Sequence, residues 1–272
     1  MLKVGEIEYA NCFPIFSTLR RNFPCEGYEF VKGVPSELNR LLAAGGIDVS
    51  PSSSIEYGLS PERYYLLPDL SISAFGPVQS VALFSSLPIE DLDGKTIGLT
   101  SESDTSVNLI KIILAKFYGF SNQYERVLGG GSDLTSSRPA LLLIGDNALK
   151  MSADSGNLFV YDLGELWRHF TGLPFIFALW IIREETVTTR YAEVLALSNS
   201  LRQAKEIAVG SFDQIADECN SMAWMGKAKL VEYWQCMSYD LTPSHLEGLT
   251  AFYAYAEELN LLKKIPTIRI FA

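Results

Sequence analysis

The chain has 272 residues, 48% hydrophobic and 20% charged, enough apolar material for one large core or two smaller ones and too much for a disordered chain. Its formal net charge is -10 and no Lys/Arg cluster appears, which excludes a surface that tracks nucleic-acid phosphates. That charge repels anions at long range, so an anion site must act at contact distance through dipoles and hydrogen bonds.

Residues 2–8 alternate as a strand. Asn11-Cys12-Phe13-Pro14 follows, and Pro14 in a first helical turn predicts a helix running through Ile15, Phe16 and Leu19 to Arg21. A second strand is predicted at 28–32, then a helix over 35–44 that Gly45 and Gly46 end, then a third strand at 47–49. The hydroxyl-rich stretch Pro51-Ser52-Ser53-Ser54 leads into a short helix packed through Ile55 and Tyr57. Segments 64–67 and 72–84 are rich in β-formers with Gly76-Pro77 as a break, and 78–84 reads as a long buried strand.

A second β-loop-α layer starts at 92–99, a turn feeding a short strand. The loop Thr100-Ser101-Glu102-Ser103-Asp104-Thr105-Ser106 opens a helix with Val107, Ile110, Ile113, Leu114 and Phe117 on one side. Gly129-Gly130-Gly131 follows no strong strand and is expected to be a flexible loop. Residues 140–144 form a buried strand ending at Gly145-Asp146-Asn147, and 158–161 another, before a helix that carries Leu166, Trp167 and Phe170 to Thr171-Gly172. A second long apolar strand occupies 174–182, and from 189 onward the pattern is helical, with Pro243 opening a helix to about 259.

Two α/β blocks joined by two long apolar strands predict an α/β fold of two lobes, each a mixed sheet flanked by helices. Residues 1–85 and 178–272 form a discontinuous first lobe and 86–177 the second, with the two strands as a paired hinge that lets a cleft close. The polar loops at Asn11, Ser52 and Thr100 each lie where a β-run gives way to a helix, so hydroxyls and backbone N–H groups converge beyond the strand ends. Each has a plainer reading. Asn11 suits an N-cap or a turn, the serines suit caps, and Ser103, Asp104 and their neighbours satisfy orphan helical N–H groups. Thr105 and Ser106 exceed what a cap requires, which points to a carboxylate site. Asp146, at the C-terminal end of a strand, is a capping residue or a functional carboxylate.

His169 and His245 lie in helical patterns without Ser or Asp partners at a telling spacing, which disfavours a Ser-His-Asp or metal mechanism. No phosphate-binding glycine motif occurs. Cys12, Cys25, Cys219 and Cys236 show neither metal nor disulfide spacing, and the N-terminus lacks a basic and an apolar export region. With no segment suited to span a bilayer, a soluble, cytoplasmic protein is expected.

Several blocks are similar to one family. Ile7-Glu8-Tyr9-Ala10-Asn11-Cys12-Phe13-Pro14, Asp48-Val49-Ser50-Pro51-Ser52-Ser53-Ser54-Ile55-Glu56-Tyr57, Gly76-Pro77-Val78-Gln79-Ser80-Val81, Leu99-Thr100-Ser101-Glu102-Ser103-Asp104-Thr105-Ser106-Val107, Ile144-Gly145-Asp146-Asn147-Ala148-Leu149 and Thr171-Gly172-Leu173-Pro174-Phe175 resemble the chorismate dehydratases, which open the futalosine route to menaquinone. The helical tail carries no matching block.

The resemblance implies the fold of type II periplasmic solute-binding proteins, used in the cytosol on chorismate, a dicarboxylate. Loss of its ring hydroxyl and of the hydrogen on the ether-bearing neighbour gives aromatic 3-[(1-carboxyvinyl)oxy]benzoate, and aromatisation drives the reaction without metal or cofactor. It implies Asn11 and Asp146 as catalytic candidates, and Ser52, Ser53, Ser80, Thr100, Ser103, Thr105, Ser106, Thr171 and Gly172 as substrate-binding ones. An amide has no useful basicity, so Asn11 would orient substrate or stabilise charge, and the base stays open between the substrate's enolpyruvyl carboxylate and Asp146.

The chain departs from the family's usual pattern at Ala10 and Ser52, where more apolar residues are common. A related enzyme, 1,4-dihydroxy-6-naphthoate synthase, typically opens with Ser-Pro-Cys-Pro-Asn where this chain reads Tyr9-Ala10-Asn11-Cys12-Phe13-Pro14. A non-catalytic cytosolic sensor of a carboxylate metabolite would share the same features. The sequence leaves the oligomeric state open, a homodimer included.

Overall fold

The chain opens with β1 (Leu2–Ile7), α1 (Phe13–Asn22), β2 (Tyr28–Gly33), α2 (Pro35–Ala44), β3 (Val49–Ser53), α3 (Ser54–Leu59) and β4 (Tyr64–Ala74). Next come β5 (Val81–Ser85), β6 (Thr96–Thr100), α4 (Asp104–Ile112), β7 (Gln123–Val127), β8 (Ala140–Ile144), α5 (Gly145–Ala153), β9 (Phe159–Asp162) and α6 (Leu163–Thr171). The last part holds β10 (Phe175–Arg183), α7 (Glu184–Thr189), α8 (Tyr191–Val209), α9 (Phe212–Ala216), α10 (Lys227–Cys236), β11 (Met237–Ser238) and α11 (Pro243–Glu258). This computed structural model describes residues 1–127, 134, 135 and 137–272; the expected flexible loop at Gly129-Gly130-Gly131 lies outside the described residues.

The strands form two mixed sheets, ordered β11-β4-β10-β3-β1-β2 and β7-β6-β8-β5-β9. In the first, β1 runs parallel to β2 and β3, while β10 inserts antiparallel between β3 and β4. In the second, β8 is parallel to β6 and antiparallel to β5. The apolar runs of β5, β8 and β10 lack a period of two because both faces are covered: β5 and β8 are buried throughout, and β10 as far as Ile182. The architecture is the α/β, two-sheet one that the alternation of elements predicts.

Sheet membership changes between Ala74 and Val81 and again between Thr171 and Phe175, because β5 lies wholly in the second sheet and β10 wholly in the first. These connections fall a few residues earlier than the expected boundaries at 85/86 and 177/178. Gly76-Pro77 and Gly172-Leu173-Pro174 mark the two transitions, where the sequence breaks regular structure. The long apolar strands themselves are sheet interiors.

The serine run differs from expectation. Pro51, Ser52 and Ser53 belong to β3, held residue by residue against β10, and only Ser54 starts the helix. Two further strands carry little sequence signal: β7 is a largely exposed edge reading Gln-Tyr-Glu-Arg-Val, and β11 has two residues.

The tail is part of both halves. Tyr255 of α11 packs edge-on against Phe117 and Trp167 of the second block, with ring centroids 5.3 and 6.1 Å apart, and Phe252 meets Phe175 at 5.1 Å. Gly248 lets α11 lie on the return connection, since a Cβ there would sit 2.1 Å from the Pro174 carbonyl oxygen. Among the described residues no helix is long and apolar enough to cross a membrane.

Candidate active site between the two sheets

A cleft between the sheets is lined from one side by Tyr9, Asn11 and Cys12 of the β1–α1 loop, Ser53 at the end of β3, and the apolar Ile72, Phe177 and Met237. Val78, Ser80, Ser103, Ser106 and Gly145 line it from the other. Among the described residues, none that lines the cleft carries a charge. The N-termini of α4 and α5 point their dipoles here through Ser103, Ser106 and Gly145, which favours an anion without a cationic side chain. The cavity left measures about 40 Å³, room for a few waters. A ring-sized ligand needs the lobes to part.

Counting protons on each hydroxyl shows which keep a free donor. Ser53 Oγ is buried without a partner, so its proton and lone pairs are free. Ser103 Oγ, the N-cap of α4, accepts the Ser106 N–H and lies 3.2 Å from Ser106 Oγ; one of the two hydroxyl protons joins them and the other is left for the cleft. Ser80 Oγ accepts the Tyr233 hydroxyl at 2.9 Å and donates only a long 3.3 Å bond to the Val78 carbonyl, which leaves its own proton loosely held. Asn11 lines the cleft, and its Oδ1 is buried with no donor to it.

Other expected site residues lie elsewhere. Ser52 is fully buried, and as Ser53's neighbour along β3 it points to the opposite face of the sheet. Thr105 is committed: Ser54 gives its proton to the Ile176 carbonyl, so the Thr105 proton goes to Ser54 Oγ, and the Ile55 N–H goes to Thr105 Oγ1. Thr100 Oγ1 accepts the Glu102 N–H and does not line the cleft. Thr171 Oγ1 donates to the Trp167 carbonyl and accepts the Leu173 N–H, while Gly172 caps α6 in a left-handed conformation with φ 72°. Both close the end of a helix away from the cleft lining.

Asp146 sits in the first turn of α5, and its Oδ1 accepts the Ala10 N–H at 3.1 Å across the cleft. Burial pushes its carboxyl above the ordinary aspartate range, against the pull of that N–H and of Lys150. It tethers the two halves without lining the cleft. Cys12 is buried there, and the loss of solvation pushes its thiol up, so it stays protonated and does not act as a nucleophile.

The sequence reading missed an aromatic scaffold. Trp234 Nε1 donates to the Ala10 carbonyl at 2.8 Å and the Tyr239 hydroxyl to the Asn11 carbonyl at 2.9 Å, so α10 and the segment after it fix the loop that presents Asn11. Tyr233 does the same for Ser80. Asp162 takes the Val78 and Gln79 N–H groups at 2.9 and 2.6 Å and pins the outward crossing, where Gln79 has φ 61°. A buried Tyr or Trp needs a partner for its polar atom, and that need is the one signal the tail offered. Among the described residues no three His, Cys, Asp or Glu side chains gather as a metal site requires.

The profile of a protein family described as "Menaquinone biosynthesis" matches residues 2–258. Chorismate dehydratase of Thermus thermophilus is 35% identical over 273 residues, which cover 95% of this chain and 95% of that protein. A solved protein of Archaeoglobus fulgidus superimposes with a TM-score of 0.80 at 18% identity, over 96% of this chain and 98% of that one. The periplasmic aliphatic sulphonate binding protein SsuA of Escherichia coli does so with a TM-score of 0.71 at 13% identity, over 100% and 92%. The fold is that of the periplasmic binding proteins.

Proposed function

The chain belongs to the menaquinone biosynthesis family, and we propose that it is a chorismate dehydratase, removing water from chorismate to give 3-[(1-carboxyvinyl)oxy]benzoate on the futalosine route. One observation carries this reading: Asn11 Oδ1 is buried in the cleft wall with no hydrogen-bond partner. An orphaned acceptor of this kind costs about 1–3 kcal/mol, which a ligand hydroxyl placed against it recovers. The ring hydroxyl of chorismate is such a donor. As it turns into water its protons become more acidic, so the bond to Asn11 strengthens along the reaction.

The two carboxylates of the substrate fit the uncharged donors. Ser53 has its whole hydroxyl free, and Ser103 with Ser106 has one spare proton at the positive end of α4. Charge-assisted bonds of this type contribute about 1.5–3 kcal/mol each. Among the described residues that line the cleft, no lysine or arginine locks the anions in one position.

For the base, Asp146 is engaged by the Ala10 N–H and lies outside the lining, so the substrate's own enolpyruvyl carboxylate is the better candidate. Through a six-membered cyclic arrangement it takes the hydrogen from the ether-bearing carbon. The electrons of that C–H bond complete the aromatic ring as the C–O bond to the hydroxyl breaks, and the carboxyl proton then joins the departing oxygen as water. Both carboxylates end ionised and no other reactant is consumed. The protein's part is to hold the folded conformer and exclude bulk water. Four free cysteines support a reducing, cytoplasmic setting.

Mixing the purified protein with chorismate and following the solution by mass spectrometry tests this. A product lighter by one water, with the absorbance of a benzoate, is expected. Chorismate left unchanged at stoichiometric protein overturns it in favour of a carboxylate sensor.

A further inference from the structure

The rim of the cleft carries a contact that neither the catalytic reading nor the hinge uses. Tyr9, from the β1–α1 loop, donates its hydroxyl to Glu102 Oε2 at 2.8 Å, in the loop before α4. The two residues are 93 positions apart in sequence and belong to opposite lobes. The Tyr9 ring lies on Gly145, the first residue of α5, so closely that a Cβ there would meet it at 2.9 Å. Glu102 is also held to the first lobe through its carbonyl, which accepts the Ser36 N–H at 3.1 Å.

These rim groups are only half-buried, whereas Ser54 and Thr105 at the inner lobe contact have no exposure. The room inside is too small for a ring-sized ligand, so the lobes must separate to admit one, and the rim bonds are the ones that separation breaks with least loss of packing. We infer that Tyr9 and Glu102 form a latch that holds the cleft closed over its ligand, with Gly145 as the seat for the tyrosine ring.

Burial and the neighbouring Glu102 push the Tyr9 hydroxyl well above the ordinary tyrosine range, so it stays protonated and remains the donor. A latch raises the closed fraction in the free protein and in the complex alike. The inference rests on the dehydratase reading for its kinetic consequence, but the closure itself can be followed without substrate.

The experiment uses Tyr9→Phe, which keeps the ring on Gly145, Glu102→Gln, which keeps the Ser36 bond, and the double variant. In the ligand-free protein each single change should speed hydrogen exchange of the Ala10 amide, which faces Asp146 across the same rim, by about tenfold, and the double change no further. With substrate, each should speed dissociation of the bound product by about tenfold, because release requires opening, and move KM little, because the bond is lost from the empty closed form and from the complex alike. A purely structural defect would lower kcat through lost folded protein and leave product dissociation unchanged. Unchanged Ala10 exchange in both single variants, or additive effects in the double, overturns the latch. Faster exchange in a protein that never turns over chorismate keeps the latch and removes the dehydratase reading.

Discussion

Thr105 Oγ1 lies 3.2 Å from Ser54 Oγ and accepts the Ile55 N–H at 3.1 Å, so a threonine from one lobe caps a helix of the other. The pair is fully buried, and Ser54 passes its own proton to the Ile176 carbonyl in β10. A hydroxyl that looked like an anion ligand is a structural joint between the two sheets.

Thr105→Val should therefore lower stability by about 1–3 kcal/mol, because it strands the Ile55 N–H and removes the donor to Ser54 Oγ, and leave the KM of the folded fraction unchanged. Ser53→Ala should do the reverse. Its hydroxyl has no partner to lose, so the denaturation midpoint holds or rises, while KM for chorismate increases by roughly tenfold or more. Paired urea titrations and steady-state kinetics read both, and a Thr105 variant with intact stability and a raised KM would return that residue to the ligand set.

Removing the Asn11 side chain deletes an acceptor whose bond grows along the reaction. Asn11→Ala should lower kcat by about a hundredfold or more and change product affinity far less. A kcat within about threefold of the parent, with chorismate still bound, would place the stabilisation of the leaving oxygen elsewhere.

Asp146 gives a pH signature. Its carboxyl is raised above the ordinary 3.8, so its contribution to stability is present below that value and lost as pH rises through the raised pKa. Asp146→Asn keeps an acceptor for the Ala10 N–H without the buried charge. The variant's stability relative to the parent should be greatest near neutral pH and decline on acidification, and turnover should persist. Lost turnover with chorismate binding intact would make Asp146 the base.

His245 has the opposite sign. In the Thr242 capping box its Nδ1 accepts the Thr242 N–H at 3.3 Å, and burial lowers its pKa from 6.5, with Asp240 opposing and Lys205 assisting. The neutral ring contributes stability above pH 6.5 that is lost as pH falls through the lowered value. His245→Gln, which can reach back in the same box, should flatten that acid-side decline in thermal melts. A melting profile that keeps its slope below pH 6.5 would assign the decline to other groups.

Much of the fold follows from local chemistry. Pro35 at a helix start and Gly45 beyond its end bound α2 as the spacing requires, the run Ala140–Ile144 is β8, and Pro243 opens α11. The weak places were those without local signal, the exposed edge β7, the two-residue β11, and the crossings, which fall at the Gly-Pro and Gly-Leu-Pro breaks and not inside the apolar strands beside them. Of the expected site residues, Asn11, Ser53, Ser80, Ser103 and Ser106 share one cleft.

The sequence alone determined most of the strands and helices and where polar loops meet helix starts, because periodicity and capping act over a few residues. Only the tertiary structure decided which hydroxyl is spent inside the protein and which keeps a proton. Ser52 and Ser53 are adjacent in the chain yet face opposite sides of β3, since side chains alternate along a strand. Thr105 and Ser106 part for another reason. The first spends its proton on a serine 51 residues away and the second keeps one to share, and such partners are set by how the lobes pack.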